Sequence, residues 1–280
     1  MVMGKSNLKS IRQAAVASMF YPGEFKVLRD EVQKFLKDSK LEKNSLILNE
    51  KNISRIRAII VPHAGYIYSG EIAGSAYRLL QKNMKNFKRV LILGPAHRVW
   101  LNGAAFPKSE IFETPLGKIN LDIVMMEKIK QKFPWISVNE EAHLEEHCIE
   151  VQLPFLQETL DEFLILPIVV GEIKTEQIAE IIELLSEDWE TLIVISTDLS
   201  HYHDYQTATA RDMLTAKAIE NMELEKLSFE DACGLYPLRG LLYTAKRKGW
   251  EVSRLGICNS GDTSGDLKRV VGYGAWALNN

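Results

Sequence analysis

Three observations predict a layered α/β fold, a three-layer α/β/α sandwich around a mostly parallel, mixed sheet. The first is a set of short, continuous apolar runs rich in β-branched residues: RAIIV (57–61), RVLILG (89–94), FLILPIVVG (163–171) and TLIVIST (191–197). Runs that are apolar at every position suit strands buried on both faces. The second is that stretches with helical spacing separate them, and strand–helix alternation builds a parallel sheet flanked by helices. The third is a change of character near the C-terminus, where two strand-like runs follow one another directly.

Taken in order, EFKVLRDEVQKFLKD (24–38) has apolar residues at helical spacing and predicts the first helix. Further helices are expected at 70–82, 122–132, 147–160 with Pro154 as a break or kink, 174–186, 205–219 and 237–248. WEVSRLGIC and RVVGYGAWAL, separated by NSGDTSGD, are expected to form an antiparallel pair, which makes the sheet mixed. The connecting segment from Asn259 to Asp266 reads first as a hairpin connection; its glycines, Gly261 and Gly265, would also let a ligand approach the backbone. No repeat, linker or low-complexity tract divides the chain, so one domain over 1–280 is expected.

The 280 residues are 46% hydrophobic and 25% charged, as in ordinary globular proteins, and suffice for a dry core. A net charge of −3 with no basic patch gives no basis for nucleic-acid binding, so partners are expected among small molecules and proteins. The three cysteines, Cys148, Cys233 and Cys258, are too few and too scattered for a disulfide framework and fit a reducing compartment. AAVASMF is interrupted at once by Tyr21-Pro22-Gly23-Glu24, which argues against a signal peptide, and no apolar run reaches membrane-spanning length. A cytoplasmic protein, with no membrane partner, is the expectation.

Six histidines are distributed unevenly. His63 lies two residues beyond RAIIV, His97 three beyond RVLILG and His201 four beyond TLIVIST. Loops at the carboxyl ends of parallel strands converge in space, and that is where open α/β sheets bind ligands. A single loop histidine is most often a hydrogen-bonded structural residue; three at equivalent strand ends make a candidate site. Asp198, in the Thr197-Asp198-Leu199-Ser200 loop, suits either the orientation of an imidazole or the capping of a helix.

HLEEH places His143 and His147 four apart, but the zinc-protease motif requires glutamate directly after the first histidine, and here glutamates occupy the third and fourth places. A solvated acidic helix start would account for Glu145 and Glu146 yet leaves His147 unexplained. Cys233, in CGLYPLRG, sits in a loop before a helix, whereas Cys148 and Cys258 fall within apolar patterns. A thiolate with two imidazoles would suit zinc, copper or iron, and magnesium or calcium would want more oxygen.

With AAVASMFYPGE, VPHAGYIYSG, LILGPAHRV, EEHCIEVQLPFLQ, STDLSHY, CGLYPLRGLL, SGDTSGD and VVGYGAWAL in this order, the sequence resembles the Memo family almost from end to end. Prokaryotic members of that family are known as protein B of the AmmeMemoRadiSam system. The resemblance implies the fold of class III extradiol dioxygenases, which are non-haem iron enzymes. It also implies a metal pocket formed by His63, His97 and Cys233, with Asp198 and His201 beside it and His147 in its wall. The third iron ligand of those dioxygenases is a glutamate; the matching role here falls to Cys233, so their chemistry does not carry over by fold alone.

Three functions are therefore open. The first is an iron- or copper-dependent, dioxygenase-like redox enzyme for a small substrate, aromatic ones included, with His201, Asp198 and His147 as catalytic residues. The second is a binding or signalling module with a vestigial pocket for a peptide or protein, partners from the AmmeMemoRadiSam system among them. The third is a zinc hydrolase, with an activated water in the open position. Tyr66 and Tyr68 are candidate pocket-lining residues, and tyrosines in such loops also serve simply to pack.

Overall fold

The computed structural model describes residues 9–38, 54–81 and 87–280; the expected helix over 70–82 thus has its last residue outside the described ones. A two-residue strand, β1 (Ile11–Arg12), precedes α1 (Phe25–Asp38), which buries Leu28, Val32 and Leu36. Then follow β2 (Ile56–Val61), α2 (Tyr66–Tyr77) and β3 (Arg89–Pro95). The middle of the chain supplies β4 (Ala104–Phe106), β5 (Ile111–Thr114), β6 (Gly117–Asn120), α3 (Ile123–Lys132), β7 (Ile136–Val138), α4 (Glu141–Leu144) and α5 (Leu153–Thr159). After these come β8 (Leu164–Val170), α6 (Thr175–Ser186), β9 (Thr191–Ser196), β10 (His201–His203) and α7 (Tyr205–Glu220). The chain closes with α8 (Leu235–Lys248), β11 (Glu251–Asn259), α9 (Ser260–Ser264) and β12 (Val270–Asn279).

The main sheet runs β10-β12-β2-β9-β3-β8-β4-β7, with β11 paired to β12. Its centre, β2-β9-β3-β8, is parallel, and every residue of β2 and β9 is buried, as the unbroken apolar runs require. β12 runs antiparallel to both β2 and β11, and β4 antiparallel to β8, which makes the sheet mixed as expected. A small separate sheet, β1-β5-β6, lies outside it. Helices cover both faces. Gly256 of β11 is pressed against Ile72 of α2, while Gly272 of β12, whose pairing puts it on the opposite face, meets Asp212 of α7. α6 and α8 pack on one another over β3 and β9. The fold is the α/β sandwich that the sequence predicts.

Three elements differ from their expected form. The helix after β2 begins at Tyr66, with Gly65 at its N-cap, so much of VPHAGYIYSG is already helical. Over 147–160 a 3₁₀ turn (Glu150–Gln152) leads into α5, and Pro154 sits in the first turn of α5, where its missing N–H leaves no bond unmade. β11 and β12 pair antiparallel and are joined directly, so the connection is a hairpin one, but it contains a helical turn: the Asn259 side chain accepts from Gly261 N–H, and the turn ends at Gly265 with φ +78°. Among the described residues, no helix is long and apolar enough to cross a membrane.

Candidate metal centre

β2, β3 and β9 end on one side of the sheet and deliver Pro62-His63, Ala96-His97 and Thr197-Asp198 there. The β2 and β9 loops are tied together twice: Thr197 N–H donates to Val61 O at 2.9 Å, and His63 N–H donates to Asp198 Oδ1 at 2.7 Å. The loop before α8 is drawn in by Gly234, whose N–H donates to Thr197 Oγ1 at 2.8 Å. A Cβ at Gly234 would lie within 2.9 Å of Thr197 and of Ser196 O, so only glycine brings Cys233 this close.

The ligand atoms of His63, His97 and Cys233 all lie within 4.8 Å of one another. Their hydrogen bonds fix which nitrogen each histidine presents. Ser196 Oγ donates to Cys148 O at 2.5 Å and accepts from Gln152 Nε2 at 2.8 Å; its only proton is used, so His63 Nδ1, 3.0 Å away, must be the donor to it. His63 Nε2 is left with a bare lone pair 3.3 Å from Cys233 Sγ. His97 Nδ1 faces Glu146 Oε1 at 2.9 Å, and a carboxylate only accepts, so Nδ1 carries the proton and Nε2 is free. Two imidazoles in one tautomer and a thiol therefore converge, a donor set that fits a soft or borderline transition metal.

The electrostatics keep these groups in ligating form. Burial holds the pKa of His63 down at about 3, so the ring is neutral. Burial and the nearby Asp198 push the Cys233 thiol up to about 12, so it keeps its proton until a cation displaces it. Burial would raise Glu146, but the hydrogen bonds it accepts from His97 and Cys148 outweigh it and hold the carboxyl at about 2.

A second group, His97, Glu146 and His147, is equally close, yet its carboxylate is already committed. Glu146 Oε1 accepts from His97 Nδ1, from His147 N–H at 2.9 Å and from Cys148 N–H at 3.1 Å, and Oε2 accepts from His97 N–H at 2.7 Å. Glu146 is thus an organiser of the loop bearing His97; it is 2% exposed, which corrects the solvated acidic helix start that the sequence allowed.

The other expected residues fall around the same cavity of about 870 Å³. His147 stacks on His97 with ring centroids 4.7 Å apart, and burial and His63 lower its pKa to about 4. His201, half-buried in β10, lines the cavity, as does Asp198, whose carboxyl burial pushes up. Asp198 holds the His63 backbone and, through its own N–H, contacts Cys233 Sγ at 3.3 Å, so both loops depend on it. Tyr68 lines the cavity; Tyr66 is buried beneath it, donating to Val151 O at 2.7 Å. His143 stands apart, donating from Nε2 to Ala105 O at 2.9 Å and resting against Phe112.

One wall was not anticipated from sequence. Residues 12–21 form a strap that brings Phe20 to the cavity wall, with its ring centroid 4.7 Å from that of His147. The strap is held by Glu150, fully buried, which accepts from Arg12 Nη1 at 2.6 Å, Tyr21 Oη at 2.6 Å, Ala15 N–H at 2.8 Å and Val16 N–H at 3.0 Å. Arg12 also donates to His143 O and Glu146 O, so the strap is clamped to the segment that carries His147.

A family model described as Memo-like protein matches residues 12–277, which spans every residue of the site. The chain belongs to the Memo family. It is similar to a MEMO1 family protein of Aquifex aeolicus, 36% identical over 94% of this chain and 97% of that one. It is also similar to MEMO1 family protein Ta0237 of Thermoplasma acidophilum, at 35% identity over 94% of this chain and 96% of that one. A MEMO1 family protein of Nitrosopumilus maritimus is 32% identical over 95% and 98% of the two chains. Among solved structures, an uncharacterized Escherichia coli K12 protein aligns with a TM-score of 0.48 and 11% identity, over 78% of this chain and 99% of that one. Membership of the Memo family fixes kinship along the whole chain; the chemistry has to be argued from the site.

Proposed function

We propose that this Memo-family chain is a metal-dependent redox enzyme that holds iron or copper through His63 Nε2, His97 Nε2 and Cys233 Sγ and acts on a small aromatic substrate. The observation that carries the reading is the shared tautomer: both imidazoles are pinned at Nδ1, which leaves each Nε2 bare, and the ligand atoms of the two rings and the Cys233 thiol lie within 4.8 Å of one another. Iron or copper bound there would supply electron transfer and open coordination positions for O₂ and substrate.

The remaining work falls to the chain's own residues. Ser196 and Glu146 fix the two rings, as oriented imidazole ligands require. Phe20, Tyr68 and Tyr273 give the cavity flat walls against which an aromatic ring packs and which exclude water. His201, on the same cavity, is the base that takes the proton of a phenol-like substrate. His147 serves as a neutral wall, and Asp198 keeps the His63 and Cys233 loops in register.

The test is elemental analysis of protein purified without oxygen, followed by O₂ uptake with catechols. One iron or copper per chain, lost in Cys233→Ser, is the expected result. Zinc alone, with hydrolysis and no O₂ uptake, would move the site to hydrolytic chemistry. Equal metal content in Cys233→Ser would remove the thiolate from the ligand set.

A further inference from the structure

The cavity carries one uncommitted cation. Arg98 follows His97 directly, lines the cavity and is exposed, and among the described residues it makes no hydrogen bond and no ion pair. The other charged side chains around the cavity are engaged. Glu230, on the same lining, is held by Arg211 at 2.9 Å, and Arg211 in turn reaches Asp231 at 2.8 Å. Arg269, next to the mouth, lies over the Tyr202 ring with its guanidinium carbon 5.0 Å from the ring centre. Asp198 is buried and accepts from the His63 backbone. The backbone at Arg98 is not free to drift, because Glu146 grips the preceding residue at two atoms.

We infer that Arg98 is the anchor for a carboxylate on the substrate, so that the ligand class is an aromatic acid: a ring against Phe20, Tyr68 and Tyr273 with its carboxylate at the guanidinium. The inference rests on reading the cavity as a substrate site. A guanidinium presents paired N–H donors that match a carboxylate, and such pairs give orientation as well as affinity. The placement also has a geometric consequence. With the carboxylate at Arg98, beside His97, the rest of the ring shares a lining with His63, Cys233 and His201.

The test uses benzoate and its neutral isostere benzamide, titrated calorimetrically into the full-length protein in metal-free and metal-loaded forms. Benzoate is expected to bind wild type at least about 10-fold more tightly than benzamide, a preference that weakens with added salt. Arg98→Met should abolish the preference and Arg98→Lys should keep part of it, with both variants folded because the side chain is exposed. Equal binding of the two probes, no benzoate binding up to its solubility, or an unchanged preference in Arg98→Met would each overturn the assignment. Tight binding of inorganic phosphate without benzoate would also overturn it, by showing an anion site with no place for the ring. Because the metal-free arm needs no turnover, loss of the metal-enzyme reading and loss of this one are separate outcomes.

Discussion

Glu146 holds His97 at two points, accepting the backbone N–H with Oε2 at 2.7 Å and the ring Nδ1–H with Oε1 at 2.9 Å. One carboxylate thus sets both where the loop lies and how the imidazole turns, and two further N–H groups, from His147 and Cys148, keep it from rotating away. Glu146→Gln keeps an acceptor oxygen but loses the charge that favours the Nδ1–H tautomer. Its metal affinity should fall about 10–100-fold, and that of Glu146→Ala further. Competition against a chelator of known affinity reads both, and wild-type affinity in Glu146→Ala would mean that the ring is oriented by its packing against His147 alone.

Glu146 also shows where the sequence was legible and where it was not. The four central strands and the histidines behind them could be read because continuous apolar runs and strand-end positions are local signals. The convergence of His63, His97 and Cys233 followed from the family resemblance, and strand-end logic alone would have reached the histidines but not a cysteine 36 residues beyond Thr197. Glu146 looked like a surface acid because nothing in EEHC says that a distant loop will bury it. The strap bearing Phe20 was equally silent: its anchor is Glu150, and pairing Arg12 with Glu150 spans 138 positions. The hairpin connection after β11 was legible, but the helical turn inside it was not, because glycines suit a plain loop and a capped turn alike; the Asn259 side chain decides for the turn.

His143 supplies a prediction for acid conditions. Buried at 1% exposure, its ring faces Arg12, Glu140 and Glu146, and burial lowers its pKa from 6.5 to about 4. A histidine depressed in the folded state binds fewer protons there than in the unfolded chain, so stability is full above pH 6.5 and is lost as pH falls toward 4. That depression corresponds to about 3 kcal/mol between pH 7 and pH 4. His143→Gln retains a donor for Ala105 O and should be less stable than wild type at neutral pH but flatter across this window. Urea unfolding at several pH values checks the slope, while metal content should be unchanged because His143 is outside the cavity lining.

The Arg12–Glu150 pair offers a test of the strap. Both side chains are almost wholly buried and Glu150 is satisfied on all sides, so Arg12→Met strands a carboxylate that three remaining donors cannot neutralise. Removing one partner of a buried pair costs about 3–5 kcal/mol. The expected loss of stability should be accompanied by loosening of Phe20 over His147, seen as faster proteolysis within residues 12–21. Arg12→Met combined with Glu150→Gln should recover part of the loss; no recovery would assign the effect to the Arg12 bonds with His143 O and Glu146 O.

His201 and the proposed metal ligands differ in what their loss should do. Removing a ligand depletes metal, whereas removing a base leaves the metal in place and slows chemistry. His201 is anchored by the pairing of β10 with β12 and stands outside the cluster of His63, His97 and Cys233 ligand atoms. His201→Ala should therefore keep its metal and lose about 10²–10⁴-fold in single-turnover rate. Asp198→Asn should fall between wild type and His201→Ala in rate, since an amide oxygen can still accept from the His63 N–H but carries no charge to hold the loops. Metal stoichiometry and rate measured on the same preparations separate the two roles, and a fully active His201→Ala would show that substrate is deprotonated by another group.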